Sequence, residues 1–275
     1  MAAKLAALHT CLQRWPQVVV LLSGGVDSSF LLGAASQVPG QKILALTFTG
    51  PHYPEEEVAA AQDLARHLGV PHRLEPFDPF FLAAFRQNTP ERCYACKTAL
   101  YRRARALARR SGAVVLDGTT ADDALAWRPG QRAAAEQGIH TPLRDTGWQK
   151  ADIRACSRLW GLPGWDRPPQ SCLATRFPPY TPLSPHDLHR VDQVERRLRQ
   201  QGFGPVRLRV HGDLVRLELP PDQWPRLLEP RCQRRLQELV AASGWRYLTL
   251  DLRGYQSGSM DSPAAPRRPD PPETA

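Results

Sequence analysis

Val18, Val19, Val20, Leu21 and Leu22 form an uninterrupted apolar run, and Ser23-Gly24-Gly25-Val26-Asp27-Ser28-Ser29 follows it directly. A run of this kind reads as a strand buried on both faces, as in the middle of a parallel sheet. Phe30, Leu31 and Leu32 then open an apolar helix. The turn between them leaves backbone N–H groups at a helix N-terminus without intrahelical partners. Such a terminus attracts phosphate or pyrophosphate. Gly24 and Gly25 let the backbone approach an anion closely, and Ser23, Ser28 and Ser29 add hydroxyl donors. The string is neither the Walker loop nor the dinucleotide Gly-x-Gly-x-x-Gly.

The alternation continues along the chain. Leu5, Leu8, Leu12 and Trp15 predict a helix over about 4–15, and Ile43–Phe48 reads as a second strand. Pro54 and three glutamates start a helix that Gly69 ends. A third strand is expected near His72–Leu74, a helix from Arg92 to about Arg110, and a fourth strand over Ala113–Leu116. This order predicts an α/β fold: a doubly wound parallel sheet with ligands at the carboxyl ends of its strands. The turn Asp117–Asp123 ends the fourth strand, so it and the Ser/Gly turn are expected to face one site. Lys150 lies in the first turn of the next helix, expected over 147–160, where a cation opposes the helix dipole unless an anion is near.

Prolines at 163, 168, 169, 178, 179, 182 and 185 argue against helix between 161 and 185. The expected organisation is a nucleotide domain over 1–165, a linker over 166–183 carrying Cys172, a smaller α+β domain over 184–255, and a disordered tail over 256–275. Ser184 and Pro185 start a helix running to about Gln201. Val206–Val210 and Leu214–Leu219 alternate as a hairpin around His211-Gly212-Asp213. A helical stretch over about 222–242, broken at Pro230, and a strand over Tyr247–Leu252 complete the second domain.

The 275 residues are 42% hydrophobic and 23% charged, which suits a globular protein with a full core. No apolar window is long enough for a membrane span. Met1-Ala2-Ala3-Lys4 lacks the apolar core of a signal peptide, so a cytoplasmic protein is expected. The net charge of +9 suits anionic ligands. No block of five like charges forms a basic arm, so neither a nucleic acid nor a membrane is expected as partner. Six cysteines in such a protein argue against a disulfide framework. Cys11 and Cys156 border apolar stripes and read as packing residues, and Cys232 has no evident partner.

Cys172 lies in an irregular loop, where Arg176 would favour its thiolate. Cys93 and Cys96 form a C-x-x-C at a helix start, open to redox, zinc, iron–sulfur or plain surface-thiol readings. Thioredoxin-like redox needs a different βαβ context, and zinc usually takes a fourth Cys or His. With Cys172 the pair could hold a 4Fe–4S cluster whose open iron carries a labile sulfide.

SGGVDSS resembles the PP-loop of ATP pyrophosphatases, which activate a carboxylate, amide or base oxygen as an adenylate before nitrogen or sulfur displaces AMP. RCYACKTALY, DGTTADD, WRPGQRAA, TPLRDTGWQKADIR, PPQSCLATRF and LTLDLRGYQSGSM together resemble the LarE family, over about residues 5–260. Trp127 replaces that family's usual Tyr. The resemblance implies an ATP-dependent sulfur transferase of nickel-pincer cofactor synthesis. Such an enzyme adenylates a carboxylate of pyridinium-3,5-biscarboxylic acid mononucleotide and replaces AMP with sulfur. Some members surrender the sulfur of one cysteine, equivalent to Cys172, and become dehydroalanine; others hold a cluster on three. This chain resembles the three-cysteine kind.

The resemblance further implies that Ser23, Gly24, Gly25, Asp27, Ser28 and Ser29 hold pyrophosphate, with Asp27 near the metal-bound phosphates. Gly118 and Asp123 line the nucleotide, and Lys150 neutralises its phosphates. Cys172 and Asp27 are the implied catalytic residues, and Cys93, Cys96 and Cys172 the implied cluster ligands. Arg176 and Arg207 are expected to clamp the substrate, with Glu195 and Glu218 near substrate and metal; all four read equally as solvated surface charges. Expected partners are ATP, Mg²⁺, the mononucleotide and a sulfide or other sulfur donor, and a homo-oligomer stays open. A tRNA thiolase shares PP-loop, C-x-x-C and distant Cys, but no added RNA-binding domain is recognisable. The sequence also admits an ammonia-using amide or NAD synthetase, or a non-catalytic nucleotide or iron–sulfur sensor.

Overall fold

The computed structural model describes residues 1–124, 129–256 and 260. They fall into two compact units: Met1–Leu173 with Pro182–Asp192, and Ala174–Thr181 with the chain from Gln193 on. Cys172 thus counts with the first unit and Arg176 with the second. Trp127 and most of the expected tail lie outside the described residues. Among the described residues no helix is long and apolar enough to cross a membrane.

The first unit runs α1 (Ala2–Leu12), β1 (Gln17–Leu21), α2 (Val26–Ser36), β2 (Lys42–Thr49), α3 (Glu55–His67), β3 (His72–Pro76), α4 (Ala83–Arg86) and α5 (Arg92–Arg109). It continues through β4 (Val114–Leu116), α6 (Ala121–Ala124), α7 (Pro129–Glu136), α8 (Pro142–Asp145) and α9 (Lys150–Leu159). Its four strands are parallel, in the order β3-β2-β1-β4. The doubly wound sheet predicted from the alternation is therefore present, with β1 in its middle. Val18, Val20 and Leu22 pack on one side with Leu8, Leu12, Phe30 and Trp148. Val19 and Leu21 pack on the other with Leu46, Phe48, Tyr101 and Ala133. Burial on both faces is why the run lacks a polar alternation. Each fully buried side chain of this size contributes about 1.5–3 kcal/mol.

Strand order reverses beside β1, since the chain moves outward through β2 and β3 before returning as β4. The loops after β1 and β4 therefore flank a crevice at the carboxyl end of the sheet, where ligands of such folds bind.

Several boundaries differ from the sequence reading. Helix α2 begins at Val26, not Phe30, because Gly24 turns the chain at φ +84° and Gly25 is the extended N-cap. Val26–Ser29 thus form the helix's first turn. Helix α9 begins at Lys150, not at 147, because Gly147 has φ +73° and Gln149 with Asp152 forms a capping box. Helix α1 ends at Leu12, yet Trp15 still packs against the same core.

Helix α10 (Pro185–Gln200) starts where Ser184 Oγ accepts the Asp187 amide at 3.1 Å. In the second unit β5 (Arg207–His211) and β6 (Leu214–Glu218) form the expected hairpin. The expected helical stretch resolves into a 3₁₀ turn at Pro221–Gln223, α11 (Trp224–Leu227) and α12 (Pro230–Ala242). Pro230 occupies the first position of α12, which tolerates its missing N–H. Strand β7 (Tyr247–Leu250) pairs parallel to β6.

Candidate active site

At the end of β1, Ser23 and Ser28 hydroxyls lie 3.1 Å apart, and Ser28 Oγ accepts the Ser23 amide at 3.2 Å. The loop is drawn tight, and only glycine fits its tip. A Cβ on Gly24 would stand 2.1 Å from the Glu57 carbonyl oxygen, at a φ that L-residues avoid. Gly118, at the end of β4, is also closely packed, since a Cβ there would meet the Ser28 nitrogen at 2.9 Å. The structure thus brings Ser23–Ser29 and the Asp117–Asp123 turn together.

Lys150 answers the dipole problem with carboxylates. Its backbone nitrogen donates to Asp122 at 2.6 Å, and its ammonium lies 3.1 Å from Asp123 Oδ1. Asp123 Oδ2 in turn accepts from the Thr120 amide and hydroxyl. Burial pushes the Asp27 carboxyl up to about 6, opposed by Lys150 and reinforced by Asp123. One ammonium serving several carboxylates beside a helix N-terminus suits a polyphosphate with its divalent cation.

Contacts run on from this point to the thiols. Asp117, next to Gly118, accepts from Tyr101 at 2.9 Å and lies 3.5 Å from the Lys97 ammonium. Burial opposes its ionisation, but Lys97, Thr119 and Tyr101 hold its carboxyl below the ordinary range. Lys97 follows Cys96 on α5, and Cys96 Sγ lies 4.0 Å from His52 Nε2. The His52 carbonyl accepts the Leu173 amide at 3.0 Å, one residue past Cys172. Burial pushes the Cys96 thiol up to about 12, and neighbouring Cys172 and Cys93 add to it while Lys97 opposes. Burial also holds the His52 imidazole neutral, at about 3. Sequence reasoning missed Lys97 and His52, and named Asp117 only as the start of the turn expected to face the site. The lysine adjoining a C-x-x-C in a chain with only four lysines was the available signal.

Among the described residues no group of three His, Cys, Asp or Glu side chains is arranged to hold a metal ion. Cys93, Cys96 and Cys172 are neighbours of one soft donor type without the tight spacing of ligands to a single ion. Cys11 and Cys156 are buried packing residues, as expected.

The second unit holds the four predicted substrate residues, none of them a solvated surface charge. Arg176, Glu195, Arg207 and Glu218 are all at most 3% exposed. Arg176 donates to both Glu195 oxygens at 2.9 Å, so its fork has a carboxylate partner already. Glu195 also accepts from Arg199 and the Leu208 amide. Burial works against its charge, but Arg176 foremost holds the carboxyl down to about 2. Arg209, which sequence reasoning missed, pairs with Glu218 at 2.9 Å. Burial, then repulsion from Arg176, lowers Arg207 to about 10. Arg207 and Arg209 share one face of β5, a period-two signal readable in the sequence. Guanidiniums outnumber carboxylates in this cluster, a composition suited to a phosphate or carboxylate ligand.

The parallel sheet, glycine-tipped phosphate loop and adjoining thiols define a nucleotide-using protein of the PP-loop ATP-pyrophosphatase class. Comparison with known sequences agrees. Residues 5–161 match the Asparagine synthase family. The chain is 36% identical over 260 residues to an uncharacterized protein of Synechocystis sp., covering 94% of this chain and 97% of the other. It is 34% identical over 265 residues to the pyridinium-3,5-bisthiocarboxylic acid mononucleotide synthase of Lactiplantibacillus plantarum, covering 95% of each. An uncharacterized protein of Methanocaldococcus jannaschii is 28% identical over 208 residues, 75% of this chain and 79% of its own. The chain belongs to the family of the Lactiplantibacillus synthase, the LarE family.

Proposed function

We propose that this protein is an ATP-dependent sulfur transferase acting on pyridinium-3,5-biscarboxylic acid mononucleotide in nickel-pincer cofactor synthesis. The observation that carries this reading is the contact path across the carboxyl end of the sheet: Ser28, Gly118, Asp117, Lys97, Cys96, His52 and the Cys172 loop. Nucleotide activation and sulfur chemistry thereby share one crevice. A substrate carboxylate oxygen attacks the α-phosphorus of ATP, and pyrophosphate leaves against the Ser23–Ser29 loop and Lys150. Asp27 and Asp123 stand by the phosphates, where Mg²⁺ offsets their charge. A sulfur nucleophile then attacks the acyl adenylate carbon, AMP leaves, and a thiocarboxylate remains. Arg207 and Arg209 supply the positive charge for the mononucleotide's phosphate.

The donor set of Cys93, Cys96 and Cys172 fits a 4Fe–4S cluster better than a single ion. Cys172 and Cys93 both lie close enough to Cys96 to raise its pKa, and soft thiolates are the ordinary ligands of such clusters. When bound, a cluster on these residues supplies sulfide sulfur that is not drawn from the protein. A purely sacrificial Cys172 gives the C-x-x-C no role.

ATP–pyrophosphate exchange tests the first half. It should require the mononucleotide, and exchange indifferent to the mononucleotide, or release of ADP, contradicts the assignment. Anaerobic turnover of Cys93→Ala tests the second. Loss of bound iron and of multiple turnover is expected. Stoichiometric dehydroalanine at Cys172 in an iron-free wild type contradicts the cluster.

A further inference from the structure

We propose that His52 is a positioning residue that sets the separation of Cys96 and Cys172, donating Nε2–H to the Cys96 sulfur while its carbonyl anchors the Cys172 loop. This rests on the reading of those cysteines as the sulfur-handling site. His52 is 1% exposed and belongs to neither the phosphate loop nor the C-x-x-C helix. It stands in the loop after β2, where the Tyr53 amide donates to the Gly50 carbonyl at 3.1 Å. Its side chain faces Cys96 at 4.0 Å, and its main chain holds Leu173 at 3.0 Å. One residue therefore grips two segments that are 44 and 121 positions distant in sequence.

The ring has little freedom to do otherwise. It packs on Tyr53 with centroids 3.9 Å apart and lies edge-on to Phe77 and Phe85 at 6.0 and 5.5 Å. Gly50 leaves the room beneath it, since a Cβ there would stand 3.3 Å from the imidazole and 2.2 Å from the Phe77 carbonyl oxygen. The tautomer follows from the unpaired nitrogen. Nδ1 is buried and has no partner among the described residues. A proton on Nδ1 would strand a buried donor, whereas a proton on Nε2 strands only a lone pair, the less unusual defect. Nε2 is thus the donor and sulfur the acceptor. At 4.0 Å the contact is a long N–H···S hydrogen bond.

The test compares His52→Gln with His52→Met, which are similar in length but differ in carrying an N–H donor. In iron-free protein, dibromobimane should link Cys96 to Cys172, read as the joined peptide by mass spectrometry. Met should lower that yield about fivefold and Gln should restore most of it, the factor expected for one hydrogen bond. Equal yields in two folded variants overturn the proposal. Should either variant fail to fold, the wild type decides through imidazole ¹⁵N shifts. A proton on Nε2, with that resonance moving in Cys96→Ala, is expected; a proton on Nδ1 overturns it. Neither readout involves ATP, iron or turnover, so failure here leaves the sulfur-transfer reading to its own tests.

Discussion

The phosphate loop of the first unit and the arginine cluster of the second both suit anions, but they are built in opposite ways. The loop uses seven consecutive residues, backbone N–H groups and one lysine. The cluster gathers guanidiniums from Arg176 to Arg216 around Glu195 and Glu218, most of them out of water. Its charges stay ionised because each carboxylate answers several donors. Carboxylates in the two regions therefore play contrary parts: Glu195 holds structure together, whereas Asp27 is strained by its burial.

Removing a carboxylate from each region exposes that contrast most strongly in the cluster. Glu195→Ala should destabilise the second unit by about 3–5 kcal/mol, since Arg176 would be left buried without its counter-charge. Hydrogen exchange of the β5 and β6 amides checks this, and an unchanged exchange pattern would mean the ion pair is dispensable. The pH dependence has a definite sign. Because the Glu195 carboxyl is held down to about 2, its contribution is present above its ordinary value of 4.5 and is lost as pH falls through about 2.

Gly24→Ala strikes the loop without touching charge. The clash with Glu57 should displace the phosphate donors and slow AMP release about 10²-fold while leaving mononucleotide affinity unchanged. Arg207→Ala should do the reverse, weakening mononucleotide binding by about 1.5–3 kcal/mol with little effect on ATP. Isothermal titration with each ligand separates the two, and matching losses for both ligands would erase the distinction between the regions.

Asp27→Asn carries the smallest effect on stability and an opposite sign. The folded pKa of Asp27 is raised from 3.8 to about 6, so its buried charge costs stability as pH rises through about 6. The amide should stabilise the protein by ~1–2 kcal/mol at pH 8, with the gain vanishing below about pH 4, while AMP release collapses. A destabilised Asp27→Asn would place this carboxylate with the structural ones.

The same contrast explains what could be read from the sequence. The strand-loop-helix around Ser23–Ser29 was legible because its signals are adjacent: an apolar run buried on both faces, then a glycine, Gly24, where no Cβ fits. The hairpin around Gly212 was legible by period two. The arginine cluster was legible only as residue types. Pairing Arg176 with Glu195 spans 19 positions and a chain turn that no local pattern records, so buried ion pairs look like surface charge. His52 was invisible for a related reason. An imidazole beside apolar neighbours carries no motif, and its partners Cys96 and Leu173 come from distant segments. Helix α2 reads as starting late because Phe30 opens the apolar stretch, whereas Gly25 sets the N-cap.

The central claim is that nucleotide activation and sulfur delivery occur in one crevice and depend on Cys172. Anaerobic incubation of the full chain with ATP, Mg²⁺, mononucleotide and sulfide, followed by mass spectrometry, measures it directly. Thiocarboxylate should form in step with AMP in the wild type, while Cys172→Ser should accumulate adenylate without thiocarboxylate. Thiocarboxylate formed by Cys172→Ser at the wild-type rate would contradict the account.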